Sequence, residues 1–191
     1  MANKQRRRAQ RGLTVIEMLI AMVVLAVALG GIAILFSGTF STTSSNNRDT
    51  SATFLAKMVV EAISAQHPNA NANIPVTDCQ GNTWNINPTP AAYPGAGATL
   101  VTSSTSSNYG YIDQTQALSN VPSGYSMQYQ DCGTAGDGSA VIYDVRWNVM
   151  TITANQTRMV TAAAHIKGVP STQLGGLRFA APVNLRGIAG P

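Results

Sequence analysis

Charge is scarce in this chain of 191 residues: Asp, Glu, Lys and Arg make up 10% of it, against roughly 25% in ordinary soluble domains. Ser, Thr, Asn and Gly fill much of the polar surface instead, which suits an extracytoplasmic protein better than a cytosolic one. The length leaves room for one domain and a short appendage, since domains commonly run about 100–150 residues. A large multidomain enzyme is excluded. There is no GxSxG, no Walker lysine loop, no HExxH, no dinucleotide fingerprint and no CxxC. Asp137 in GTAGDGS lacks the repeated acidic ligands of a calcium loop and reads as a solvated turn. Nothing argues for an enzyme, and no cofactor or metal is expected.

The formal charge of +4 is local in origin, because five of the twelve basic residues (Lys4, Arg6, Arg7, Arg8, Arg11) lie in the first eleven positions. Beyond residue 12 there remain seven Lys/Arg against eight Asp/Glu, a formal charge of −1. The body therefore has no excess positive charge for a phosphate backbone, and nucleic-acid binding by it is disfavoured.

What the chain does have is a long apolar run. Leu13 to Phe36 reads LTVIEMLIAMVVLAVALGGIAILF, with Glu17 as its only ionisable side chain. As a helix it is about 36 Å long, enough for a hydrocarbon core of roughly 30 Å. The cations before it place the N-terminus in the cytoplasm and the remainder outside. A secretory signal has a shorter apolar region, about 7–15 residues, and an A-x-A-like cut that SGTFSTTSS supplies poorly. A plain signal anchor gives no reason for Glu17, whose carboxylate costs about 2.5–3.5 kcal/mol deep in lipid and normally faces a protein partner or water.

RGLTVIEMLIAMVVLAVAL resembles the N-terminus of prepilins of the type IV pilin superfamily, which includes pilins, minor pilins and type II secretion pseudopilins. Members carry a short basic leader ending in Gly, a cut before the apolar helix, a Thr beside the new terminus and a Glu at the fifth mature position. The resemblance implies a leader over residues 1–12 and cleavage between Gly12 and Leu13. A membrane-embedded prepilin peptidase makes that cut and also N-methylates Leu13, and Thr14 and Glu17 stand in the assembly positions. Leu13 departs from the Phe of many members, but Leu, Met and Ile also occur there. The resemblance further implies that the freed amine of Leu13 is neutralised by Glu17 of an adjacent subunit. Opposite charges attract strongly at low dielectric, and removing one partner typically costs several kcal/mol.

After the membrane half (13–36), residues 37–67 are expected to continue the helix on the periplasmic side. ATFLAKMVVEAISAQ has Phe54, Leu55, Met58, Val59, Ala62 and Ile63 at helical spacing, with Lys57 and Glu61 as an i,i+4 pair elsewhere. Pro68 ends it. A continuous helix from Leu13 to about Gln66 is roughly 80 Å long. The polar stretch 41–51 reads equally as a flexible linker after a simple anchor. Gly30 and Gly31 fit either a loosening of the rod or close helix packing.

Residues 68–191 are expected to form a globular β-sheet domain, irregular over 69–123 apart from short strands at 83–87 and 99–102. Tyr125, Met127 and Tyr129 alternate with polar residues, and Val141, Tyr143, Val145, Trp147 and Val149 alternate with Asp144, Arg146 and Asn148. Turns at 133–139 and 153–157, then RMVTAAAHI at 158–166, complete a three-stranded antiparallel meander with one apolar face. Asp144 and Arg146 read as a solvated surface pair. The fold class is α+β, a long N-terminal helix laid on a C-terminal meander, as the pilin resemblance also implies. Cys79 and Cys132, an even pair in an oxidising compartment, read as a disulfide. Zinc binding by them with His67 and His165 lacks any ligand spacing.

The expected function is that of a structural subunit in a type IV pilus or related filament, most like a minor pilin of the pilus-modification type. Its expected partners are other pilin or pseudopilin subunits, prepilin peptidase and an inner-membrane assembly platform. A type II secretion or DNA-uptake pseudopilin is the near alternative. An uncleaved, membrane-anchored extracytoplasmic binding protein is the alternative of another class.

Overall fold

The computed structural model describes residues 14–67, 70–103, 106–132, 141–153, 157–167 and 182–190. The leader with Gly12, as well as Leu13, Pro68, the 133–139 turn with Asp137, and residues 154–156 lie outside these. The chain divides into two compact units, Met1–Thr43 and Ser44–Pro191.

One helix, α1 (Val15–Ser64), contributes to both units. In the first unit, Val15–Thr39 is long and apolar enough to cross a membrane, and its side chains are all exposed. Gly30 and Gly31 are helical, with open space where a Cβ would stand. Residues 41–51, for which a flexible linker was the competing reading, are helical. Threonine side chains in this stretch and beside it turn back on the helix: the hydroxyls of Thr39 and Thr43 donate to the carbonyls of Leu35 and Thr39, and those of Thr50 and Thr53 to the carbonyls of Asn46 and Asp49.

In the second unit, Ala52, Leu55, Ala56, Val59 and Ile63 form the buried stripe of α1. Phe54, expected in that stripe, is 63% exposed. The alanines at 52 and 56 set the centre of the stripe, and Phe54 falls outside it on the solvent side. Lys57 and Glu61 pair on the exposed side, 3.5 Å apart.

The stripe packs in one core with Met127, Val145, Trp147, Val149, Val160, Ala162 and Ala164 of the main sheet. That sheet is antiparallel, with β7 (Val141–Thr153), β8 (Thr157–Ile166) and β9 (Val183–Ala189) side by side. The other edge of β7 takes β6 (Ser126–Asp131) and the short β3 (Ala96–Gly97). The expected three-stranded meander is thus present as β6, β7 and β8, and β9 extends it. Gly187 of β9 lies directly under α1: a Cβ there would stand 2.5 Å from Cγ1 of Val60.

The region 69–123, expected to be irregular, contains two hairpins. These are β1 (Ile74–Thr77) with β2 (Thr83–Ile86), and β4 (Leu100–Ser103) with β5 (Ser106–Ile112). The short strands expected at 83–87 and 99–102 correspond to β2 and β4. One proline, Pro75, lies within β1 and the others fall outside these short strands, whose brevity hides them from any periodicity test.

The sheet has the expected apolar face, turned to α1, but the polar face opposite it is not solvated around Asp144 and Arg146. Asp144 and Arg146, read as a solvated pair, are only 6% and 4% exposed. The part of the face that bears them is covered by residues 110–116, which also reach Asn184 and Arg186 of β9. Ile112 N–H donates to Asn184 Oδ1 at 3.1 Å, Arg186 Nη2 donates to the Gly110 carbonyl, and Arg146 Nη1 donates to the carbonyls of Asp113 and Gln116 at 3.2 and 2.7 Å. Arg146 also forms a two-bond pair with Asp144, Nε to Oδ1 at 3.0 Å and Nη2 to Oδ2 at 2.7 Å. Alternation correctly divides the residues of β7 between two sides, but it cannot say that the polar side faces water.

On the helix side the buried cation is Arg158, 2% exposed. Its Nη2 donates to the carbonyls of Ile63, Gln66 and His67 at 3.0, 3.2 and 3.3 Å, and its Nη1 to those of Ala70 and Pro88 at 3.3 and 3.2 Å. The last turn of α1 has no basic residue of its own. A guanidinium from β8 thus bonds the Ile63 carbonyl in the last turn and the carbonyls just past it, and complements the negative end of the helix.

Candidate functional site

The residues singled out in the sequence fall at two places, one in each unit. In the first unit, Thr14 precedes α1 and Glu17 stands three residues later. The Thr14 N–H and hydroxyl both donate to Glu17 Oε2, each at 3.1 Å, and the Glu17 N–H reaches Thr14 Oγ1 at 3.4 Å. The first helical bond runs from Met18 N–H to the Thr14 carbonyl at 3.2 Å. This is a capping box: the threonine oxygen takes an N–H that has no intrahelical partner, while the acid reaches back to the N–H of the capping residue.

The geometry gives Glu17 a local role that the sequence reading missed, although TVIE ahead of an apolar run is the signature of such a cap. A carboxylate at the positive end of a helix is electrostatically favoured. It is also fixed in direction, turned back toward the start of the chain. Oε2 is engaged by Thr14, while Oε1 has no bond among the described residues. The scissile positions Gly12 and Leu13 lie outside those residues.

In the second unit, Cys79 and Cys132 are joined in a disulfide. It ties the turn between β1 and β2 to the end of β6, and it removes both sulfurs from the zinc alternative. Asp78 shapes the same turn, accepting from Gln80 N–H at 3.0 Å, Asn82 N–H at 2.8 Å and Asn82 Nδ2 at 3.0 Å. Burial alone would raise the pKa of Asp78, but the bonds from Asn82, Gln80 and Gln130 outweigh it and hold the carboxyl below its ordinary value. Among the described residues no group of three or more His, Cys, Asp or Glu side chains could hold a metal. His67 is exposed beyond the end of α1, and His165 is half-buried on β8.

An apolar helix that opens on a Thr–Glu cap, after a basic stretch, is the arrangement the opening residues suggest. Residues 7–33 match the family model described as the prokaryotic N-terminal methylation motif. The chain carries the prepilin-type motif. The match spans Arg7, Arg8, Arg11, Gly12, Leu13, the Thr14–Glu17 cap and the membrane-length helix as far as Ala33, and it supports likeness to the type IV pilin superfamily. Comparison with curated proteins and with solved structures gave no match. Beyond the prepilin-type motif, the α+β organisation of the second unit stands on its own residues.

Proposed function

We propose that this chain is a structural, non-enzymatic subunit of a type IV pilus or related filament, of minor pilin character. In this reading residues 1–12 are a leader removed between Gly12 and Leu13 by prepilin peptidase, which also methylates the new amine of Leu13. Residues 13–36 hold the precursor in the bacterial inner membrane by a single pass, with the N-terminus cytoplasmic. Residues 37–67 and the domain 68–191 stand in the periplasm, and an inner-membrane platform adds the subunit to others of its kind.

The observation that carries the reading is the motif match over residues 7–33, centred on a carboxylate held at the start of an exposed apolar helix. Oriented by Thr14, Glu17 meets the cationic amine of a neighbouring Leu13 when subunits stack with an axial stagger. That pairing offsets the cost of a carboxylate in lipid and selects neighbours in register. The same motif serves a pseudopilin of type II secretion or DNA uptake, so the genes encoded nearby decide between the two uses.

The test is the mass and N-terminus of the full chain expressed with and without prepilin peptidase. The expected product begins at methylated Leu13 only when the peptidase is present. A chain beginning at Met1 in both cases establishes the uncleaved, membrane-anchored binding protein instead. Glu17→Ala is expected to insert normally and to be lost from filaments; equal incorporation refutes the charge pairing.

A further inference from the structure

We propose that His165 makes the closure of residues 110–116 over the polar face of the sheet sensitive to mildly acidic pH, so that acid opens that cover.

The face is built in cross-strand rows. Gln128 of β6, Asp144 of β7 and His165 of β8 stand opposite one another in one row; Ser126, Arg146, Ala163 and Asn184 form the next. Arg146 spends Nε and Nη2 on the Asp144 carboxylate and Nη1 on the carbonyls of Asp113 and Gln116. One guanidinium thus joins a carboxylate in the sheet to the segment lying over it. Its grip on the cover depends on the direction that Asp144 imposes.

His165 is the neighbour of that carboxylate. Its Nδ1 is buried and has no hydrogen-bond partner among the described residues. The charged groups on this face among the described residues are Asp144 and Arg146 of β7, Arg186 of β9 and Asp113 of the covering segment. Lys167, just past β8, places its ammonium on Gln128 Oε1 at 2.7 Å. Asp113 is turned to its own loop, accepting from the N–H and hydroxyl of Thr115 at 2.8 and 2.6 Å. Arg186 lies one row further from His165 than Arg146 and is bonded to Thr161 and Gly110. Asp144 is therefore the acid at hand for a protonated His165, and Arg146 already occupies both of its oxygens.

A neutral imidazole sits in this place at the cost of one unmade bond. An imidazolium brings a second cation beside Arg146 and competes for Asp144, and either effect loosens the guanidinium that holds residues 110–116. Burial pushes the His165 pKa down, the Asp144 charge pulls it up, Arg146 pushes it down and a bond to the Asp144 main chain pulls it up, the balance leaving it below the ordinary 6.5. The closed state thus prefers the neutral ring. Its stability is fully present above about pH 6.5 and is lost as pH falls toward the lowered value, because the open state binds the proton better.

The experiment is hydrogen exchange, read by mass spectrometry, on the full chain in detergent micelles at pH 7.5 and 5.5, with exchange times scaled for the intrinsic effect of pH. Peptides covering 110–116 are expected to exchange faster at pH 5.5 in the wild type, by up to about tenfold for one coupled proton. His165→Gln is expected to abolish the difference, and His67→Gln to preserve it. Should His165→Gln not fold, titration of the two histidine ring signals in labelled wild-type protein is the second measurement, with one signal titrating below 6.5 in step with the exchange. Equal scaled exchange at both pH values in the wild type overturns the proposal. So does an acid-induced rise that survives in His165→Gln, or one that disappears in His67→Gln.

Discussion

Replacing Arg158 by Met tests the claim that a cation from β8 closes the C-terminal end of α1. Methionine keeps much of the stem's volume and removes the guanidinium. Four N–H groups on the two terminal nitrogens serve five carbonyls at 3.0 to 3.3 Å, distances at the long end of the hydrogen-bond range, with at least one N–H shared. Crediting each N–H with about 1 kcal/mol net gives roughly 4 kcal/mol. Burying a methyl group instead of a cation returns part of the desolvation penalty, but the carbonyls of Ile63, Gln66, His67, Ala70 and Pro88 lose the side-chain donor they share. The expected loss is about 3 to 4 kcal/mol, which for a unit of this size lowers Tm by roughly 10 °C. Arg158→Lys, with the charge retained and fewer donors reaching the carbonyls, is expected to lose about half as much. The assay is thermal unfolding in micelles, followed through the fluorescence of Trp84 and Trp147, with hydrogen exchange of the last turn of α1 as the local readout. A Met variant within about 1 kcal/mol of the wild type refutes the capping argument.

Gly187→Ala drives a methyl group into Val60 and is expected to cost about 1 to 3 kcal/mol by overpacking, recovered in part by Val60→Ala in the same chain; thermal unfolding of the single and double variants shows whether the two are coupled. Replacing both Cys79 and Cys132 by Ser is expected to cost about 2 to 4 kcal/mol, and reductant should then have no further effect on Tm. Asp78 holds its carboxylate form below the ordinary 3.8, so its contribution is present above that value and lost as pH falls through the lowered one. The wild type should therefore lose more Tm between pH 5 and pH 3 than Asp78→Asn does.

The parts legible in the sequence were those with a local signature. The apolar run and its lone acid announced the membrane-length helix, and the strict alternation from Tyr143 to Val149 announced β7. The cap was legible too, as Thr and Glu three apart, yet attention to Glu17 as a charge in search of another subunit hid its nearer partner. What could not be read depends on distant contacts. The polar side of β7 alternates as a wetted face does, and distant main-chain carbonyls, those of Asp113 and Gln116 on Arg146 and of Ala98 on Asn148, make it an interior. Val183, Leu185 and Gly187 alternate with Asn184, Arg186 and Ile188, but the glycine interrupts the apolar set because Val60 already occupies the space its side chain would need. Arg158 gave no signal at all, since its partners are main-chain oxygens that any sequence supplies. Residues 41–51 look like a linker by composition yet continue the helix, with the hydroxyls of Thr43 and Thr50 returned to the preceding turn.

The contact of Val60 with Gly187 also fixes when this core can be finished. The ribosome makes the buried stripe of α1 early and β9 late, and β8 acquires its second neighbour only with β9. Until that strand has been delivered, the valine side of the helix and the alanines of β8 face water, as binding surface for chaperones and an invitation to proteases. Completion of the domain must therefore wait for β9, and a product interrupted before that strand is expected to be degraded rather than to persist as a shortened but folded form.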